Sequence, residues 1–224
     1  MGFIGPDLSF NSVCADSIKT VFPDLKTYFY NIDETDYKNI IAKAESEGID
    51  TFMTIGFDYH YQNLFKQLSD TKSKIKVICA VASECIFTDI IKSVDPSVLN
   101  NVISIDYLPI ITQTNFSKSY LELYPNAATN ELAWASAGYE DGKILAKAFE
   151  SCQPGDRVCI KNSLEKVSGY DNSAIGSKGF KNHIMQVNYT IYRFLDGAWK
   201  YESVSKINLK FPAALRRGVS LEIH

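Results

Sequence analysis

Between Gly56 and Tyr61 the chain places a glycine, Phe57, Asp58, Tyr59, His60 and Tyr61 in unbroken succession. A carboxylate two positions from an imidazole can move protons if both groups face one reacting atom. Aromatic rings beside a carboxylate can instead wall a cleft for a small polar ligand. A second group, Ser83-Glu84-Cys85, offers a hydroxyl, a carboxylate and a thiol. No histidine has a reason to lie near it, and no GxSxG, HExxH or phosphate-binding glycine loop accompanies it. The three histidines, His60, His183 and His224, are scattered, and the five cysteines contain no CxxC. That spacing predicts neither a zinc site nor any other metal or cofactor, and no catalytic residue is assigned. Cys152 and Cys159 flank the turn QPGDR and are either a disulfide or two buried thiols.

The elements that must position these groups alternate. The opening MGFIG is a short apolar strand followed by Pro6-Asp7. Phe10, Val13, Cys14, Ile18, Val21 and Phe22 then recur at helical spacing, with Asp7 and Ser9 placed to cap that helix. KTYFYNI is β-rich, and Tyr37, Ile40, Ile41 and Ala44 share one face of the next helix, which stops at Gly48. Thr51 to Ile55 is a third strand; Tyr61, Leu64, Phe65 and Leu68 form the apolar face of a third helix. Lys74 to Ser83 is a fourth strand, and its nearly continuous apolar run suits a parallel strand buried on both faces. Residues 86–100 read as a short helix and loop, and VISIDYLPI as a fifth strand.

Strand–helix alternation predicts an α/β fold with a parallel sheet covered on both faces. From Asn115 to Val167 the pattern is almost entirely helical. The chain then returns to strands, His183–Phe194 and Ala198–Val204, about Asp196-Gly197, a strong hairpin signal. On these patterns, a ligand belongs beyond the C-terminal ends of the strands. Three strand ends offer a wall: Gly5 to Phe10 after the first strand, Gly56-Phe57-Asp58-Tyr59 after the third and Ala82-Ser83-Glu84 after the fourth.

The 224 residues are 46% hydrophobic and 22% charged, with a net charge of −3. That is enough chain to bury a sizeable core. Only Arg216-Arg217 near the end breaks the absence of basic stretches, so nucleic-acid binding has little electrostatic support. No apolar run approaches the roughly 20 residues needed to span a bilayer. MGFIGPDLSF lacks the basic start and long apolar core of a secretory signal. The chain is therefore either cytosolic or a processed or trimmed piece of an exported protein.

Three segments together carry a family likeness. They are DETDYKNIIAKAESEGIDTFMTIGF, WASAGYEDGKILAKAFESC and VSGYDNSAIGSKGFKNHIMQVNYTIYRFLDGAWK. Their order and spacing resemble the type I periplasmic solute-binding proteins, in particular the branched-chain amino acid (Leu/Ile/Val) binding family and its receptor-like relatives. The likeness runs over most of residues 1–204.

It implies a protein of two α/β lobes that close over a small polar ligand such as an amino acid. Residues 1–106 and 183–204 would form the second lobe. Residues 107–182 would be a helical segment packing on a first lobe not present in this chain, and 205–224 a tail. It further implies no enzymatic activity, a periplasmic or extracellular location, and a membrane transporter or sensor subunit as partner. Phe57 would cover the ligand, Glu84 would hold its ammonium through a charge-assisted bond, and Tyr107 would line the cleft at the second hinge crossing.

The helix from Glu131 to Cys152 would then expose Leu132, Trp134, Ile144, Leu145 and Phe149. Leaving such a face in water costs roughly 25 cal/mol per Å² of apolar area. Its partner is expected to be a first lobe, a second copy of the chain, or a rearranged second lobe. A scaffold of the same fold without a transport ligand, and a flavodoxin-like enzyme, are the competing readings.

Overall fold

The computed structural model describes residues 1–80, 85, 93–106, 114–127, 129–167, 174, 180–181, 184–185 and 190–203. They fall into two compact units. The first is Met1–Ile105 together with the chain from Ile191; the second is Asp106–Thr190.

In the first unit five strands alternate with helices: β1 (Gly2–Pro6), α1 (Ser9–Lys19), β2 (Lys26–Tyr30), α2 (Lys38–Ser46), β3 (Thr51–Thr54), α3 (Asp58–Asp70), β4 (Lys76–Ala80), α4 (Pro96–Leu99) and β5 (Val102–Asp106). In the second unit follow α5 (Asn115–Leu123), α6 (Thr129–Phe149), α7 (Arg157–Lys166), β6 (Phe180–Lys181) and β7 (Ile184–Met185). The chain then rejoins the first unit with β8 (Thr190–Leu195) and β9 (Ala198–Ser203).

Among the described residues the main sheet has the order β2-β1-β3-β4-β5-β8-β9. The pairings of β1 with β2 and β3, of β3 with β4, and of β4 with β5 are all parallel. β1 lies inside this run and is buried at all five positions, as expected of a strand covered on both faces. Register aligns Ile4, Thr54, Cys79 and Ser104 in one row across β1, β3, β4 and β5, and all four are buried. β8 and β9 are joined by Asp196 and Gly197, both at positive φ (54° and 79°), which is the two-residue hairpin turn that the Asp-Gly pair predicts.

The helices cover the sheet as their periodicity predicts, with one exception. Tyr37, Ile41 and Ala44 around α2, and Tyr61, Leu64, Phe65 and Leu68 on α3, are buried. On α1 the register differs from the expected one. Cys14, Ile18 and Phe22 pack against Phe3, Ala15 and Leu25, whereas Phe10, Val13 and Val21 are exposed. Small Ala15 and the Asn11 amide occupy the close approach to the sheet, so the larger side chains of the same periodicity turn outward. The expected cap is also absent. The N-cap residue is Leu8, with no side-chain hydrogen bond to the helix, and neither Asp7 nor Ser9 fills that role.

In the second unit Asp156 caps α7 by accepting from the Cys159 N–H at 2.9 Å. Cys152 and Cys159 are joined in a disulfide with their Cα atoms 5.7 Å apart, which ties the end of α6 to the first turn of α7. Buried Glu140 accepts from the backbone N–H of Ala174 at 2.8 Å. The strand expected over 183–194 is divided. Ile184–Met185 pairs antiparallel with Phe180–Lys181 in a separate small sheet, and the hairpin strand begins at Thr190.

Candidate functional site

Parallel strands all point their C-terminal ends to one edge of the sheet, and the loops that leave β1, β2 and β3 meet there. After β1 the chain turns sharply. The Asp7 N–H donates to the Tyr30 carbonyl at 2.7 Å, and the buried Asn11 amide donates to the Pro6 carbonyl at 2.8 Å. The Asp7 carboxylate is left exposed. After β2, Asn31 Oδ1 accepts from the Asp33 N–H at 3.1 Å, folding that loop back on itself. An open depression of about 330 Å³ lies between these two loops, lined by Asp7, Leu8, Phe29, Tyr30, Asn31 and Ile32.

The loop after β3 carries the aromatic run, and His60 organises it. The Phe57 N–H donates to His60 Nδ1 at 3.1 Å, and the His60 N–H returns to the Phe57 carbonyl at 3.0 Å. Nδ1 accepts, so the ring proton sits on Nε2, which donates to the Ile32 carbonyl at 2.8 Å. Burial lowers the imidazole pKa, opposed by the bond to Ile32 and the charge of Asp58. His60 is thus a neutral clamp between the loops after β2 and β3. Both ring nitrogens are committed to backbone groups, so the acid–base pairing of Asp58 with His60 has no free nitrogen to work with. Asp58 itself accepts from the Tyr59 N–H at 2.7 Å in the first turn of α3.

Tyr61 lies in the core and its hydroxyl accepts from the Gly56 N–H at 2.9 Å, closing the turn that presents Phe57. The Tyr59 hydroxyl donates to the Ile32 carbonyl at 3.2 Å. Burial pushes the Tyr30 phenol well above its ordinary value and that of Tyr37 to about 12, so both stay protonated at neutral pH.

The outcome is a rim with two half-exposed rings. Phe57 and Tyr59, 41% and 40% exposed, are nearly parallel, at 10° with centroids 6.0 Å apart. Tyr59 also lies 4.0 Å from the His60 ring. Phe57, Asp58 and Tyr59 are therefore brought together beside the depression; Glu84 and Tyr107 lie outside the described residues. Chemically the rim offers two aromatic faces and the carboxylates of Asp7 and Asp58, an arrangement suited to binding. Sequence reasoning passed over Tyr30, Asn31 and Ile32. Their one signal was position, at the C-terminal end of a predicted strand. Among the described residues no group of three or more potential metal ligands occurs, and no helix is long and apolar enough to cross a membrane.

The second unit presents a different surface. Trp134, Leu145 and Phe149 are exposed along one stripe of α6, separated by Gly138 and Gly142, whose added Cβ atoms would meet open space. Phe116 stacks on Tyr139 at 4.4 Å, and a hollow of about 350 Å³ at the turn between α5 and α6 is lined by Tyr120, Leu123, Tyr124, Pro125 and neighbouring residues.

Solved structures share this architecture at low sequence identity. A leucine binding protein of Thermotoga maritima superposes with a TM-score of 0.67 at 13% identity, over 90% of this chain and 59% of its own. A putative branched-chain amino acid ABC transporter protein of Rhodospirillum rubrum gives 0.70 at 14%, over 90% and 60%. A solute binding protein of R. palustris in complex with benzoate gives 0.69 at 11%, over 90% and 57%. The chain thus spans somewhat under two thirds of the length of these proteins. No curated protein matches the sequence significantly. The family model described as periplasmic binding protein matches residues 1–198. With nearly the whole chain matched and the parallel sheet and hairpin in place, the chain belongs to the periplasmic binding protein family, with the type I fold.

Proposed function

We propose that this chain is the ligand-binding portion of a solute-binding protein of the ABC-transporter or receptor type. It takes a small polar ligand, such as an amino acid, by closure of two lobes. The observation that carries this reading is the rim at the C-terminal edge of the sheet, where Phe57, Asp58 and Tyr59 stand half-exposed beside an open depression in a chain of this family. Ligands of open α/β sheets bind at that edge. Glu84 and Tyr107 are assigned to the same wall, Glu84 as the partner of a ligand ammonium.

Residues 1–106 and 183–204 are assigned to the second lobe, and 107–182 to a segment that packs on a first lobe through the exposed stripe of α6. A second copy of the chain is the other occupant of that stripe. The partner for the closed form is a membrane transporter or sensor subunit, and the location is periplasmic or extracellular. The Cys152–Cys159 disulfide supports an oxidising compartment.

Isothermal calorimetry of the two-lobed protein against leucine, polar and acidic amino acids, benzoate and sugars tests the reading. Saturable binding of one class, weakened tenfold or more by Phe57→Ala or Glu84→Gln, supports it. No heat from any class would overturn it in favour of an interaction scaffold of the same fold.

A further inference from the structure

The loops that leave β1, β2 and β3 at the C-terminal edge of the sheet are residues 7–8, 31–37 and 55–57. With the first residue of each helix that follows, they carry five carboxylates, on Asp7, Asp33, Glu34, Asp36 and Asp58, against one cation, Lys38. The opposite edge of the same sheet mixes its signs, with Lys26, Lys72 and Lys74 as well as Asp24 and Asp50 among its residues. A mainly negative edge is therefore particular to the rim, and it sets the sign of the local field.

Helix N-termini ordinarily favour an anion, because their first N–H groups are free. Here many of the donors at this edge are committed within the chain. The Asp7 N–H goes to the Tyr30 carbonyl. The Thr35 and Asp36 N–H groups both go to one oxygen of Glu34 at 2.9 Å, and the Lys38 N–H goes to Asp36 at 3.1 Å. At the start of α3 the Phe57 N–H goes to His60 and the Tyr59 N–H to one oxygen of Asp58. The Tyr59 hydroxyl donates to the Ile32 carbonyl. What the rim turns outward is acceptors and ring faces: the exposed Asp7 and Asp58 and the half-exposed Phe57 and Tyr59, beside the open depression.

We propose that the ligand presents a positive charge to Phe57, Asp58 and Tyr59: it is a small amine or guanidinium compound, such as arginine. The inference rests on the rim being a ligand wall and adds the class of ligand. A cation there gains charge-assisted bonds to carboxylates, and the nearly parallel rings of Phe57 and Tyr59 offer it π faces. A planar guanidinium can lie on a ring or pair through two N–H groups with a carboxylate, and an aliphatic side chain can do neither. An anionic ligand would meet like charges and few open donors. This positive group is separate from the α-ammonium assigned to Glu84.

The test is calorimetry of the two-lobed protein against arginine, lysine and putrescine, with leucine, glutamate and benzoate in parallel. The best of the three cations should bind roughly tenfold more tightly than leucine, glutamate or benzoate, and its affinity should fall as salt is raised. Asp7→Asn and Asp58→Asn remove a charge but keep an oxygen that accepts, so the Tyr59 N–H retains its partner and the fold is preserved. At least one of these variants should weaken the cation by roughly fivefold or more. Leucine, glutamate or benzoate matching or exceeding the best cation would overturn the proposal and leave the solute-binding reading standing. Cation binding that neither variant weakens would overturn it as well, because the charge would then be held elsewhere. No heat from any of the six compounds would remove the solute-binding reading and this inference with it.

Discussion

His60 shows how a residue suited to catalysis can be used for shape. Its Nδ1 accepts from one backbone N–H and its Nε2 donates to a carbonyl of another loop, which only the neutral ring can do. The folded pKa lies below the ordinary imidazole value of about 6.5. Below that value the unfolded chain binds the proton more readily than the folded one. The contribution of His60 is therefore fully present above pH 6.5 and is lost as pH falls through the folded value. In urea titrations from pH 7.5 to pH 5, the stability gap between the wild type and His60→Gln should narrow steadily on acidification; a constant gap would contradict the clamp.

Gln67 gives a second prediction. It is buried, accepts from the Tyr37 N–H at 2.6 Å and donates to the Thr35 carbonyl at 2.7 Å, pinning the start of α2 to α3. Gln67→Ala should lower unfolding stability by about 1–3 kcal/mol in the same titrations, because both backbone groups lose their partner. Tyr61 was legible from its place in the apolar repeat of α3. His60 and Gln67 were not, because a polar residue in a helix reads as solvent-facing. Apart from the Phe57 N–H, their partners come from residues 32, 35 and 37, far away in the chain.

At the scale of elements, the strand–helix alternation, the α3 face and the hairpin turn were all legible, because each rests on local pattern. Gly48 is an example with a measurable cost. Its φ is +74°, and the next residue, Ile49, donates back to the Ala44 carbonyl at 2.9 Å to close α2. Gly48→Ala has room for its methyl group but not the backbone freedom. It should destabilise the chain by about 1 kcal/mol, measured by thermal or chemical unfolding. What periodicity could not decide was which neighbouring stripe of α1 faces inward. Phe10 and Val13 fit the repeat as well as Cys14 and Ile18, and the choice falls to the space over Phe3 and Leu25. The division between β7 and β8 was hidden for a similar reason. Residues 183–194 have one continuous β-like composition, which does not reveal that Ile184–Met185 pairs with Phe180–Lys181 in a sheet of its own.

For the whole molecule, family membership was legible from three motifs in order. The ligand was not, because charge and aromatic content at one rim admit several chemistries. The exposed stripe of α6 was foreseen in part. Trp134, Leu145 and Phe149 do face solvent, while Leu132 and Ile144 are buried within the protein. An apolar dye such as ANS should bind the isolated chain at this stripe. Leu145→Lys with Phe149→Lys should halve its fluorescence or more, with little change in melting temperature, since neither side chain is in the core. Undiminished fluorescence would place the dye site elsewhere.

The first unit is assembled from two stretches of chain, with Asp106–Thr190 made in between. During synthesis β5 therefore emerges long before the hairpin of β8 and β9 that follows it in the sheet order. Until the hairpin arrives, one backbone edge of β5 is open to strands of other nascent chains. A growing polypeptide halted short of Ile191 is thus at its most vulnerable to aggregation, and residues 191–203 act as the last piece that makes the unit safe to release.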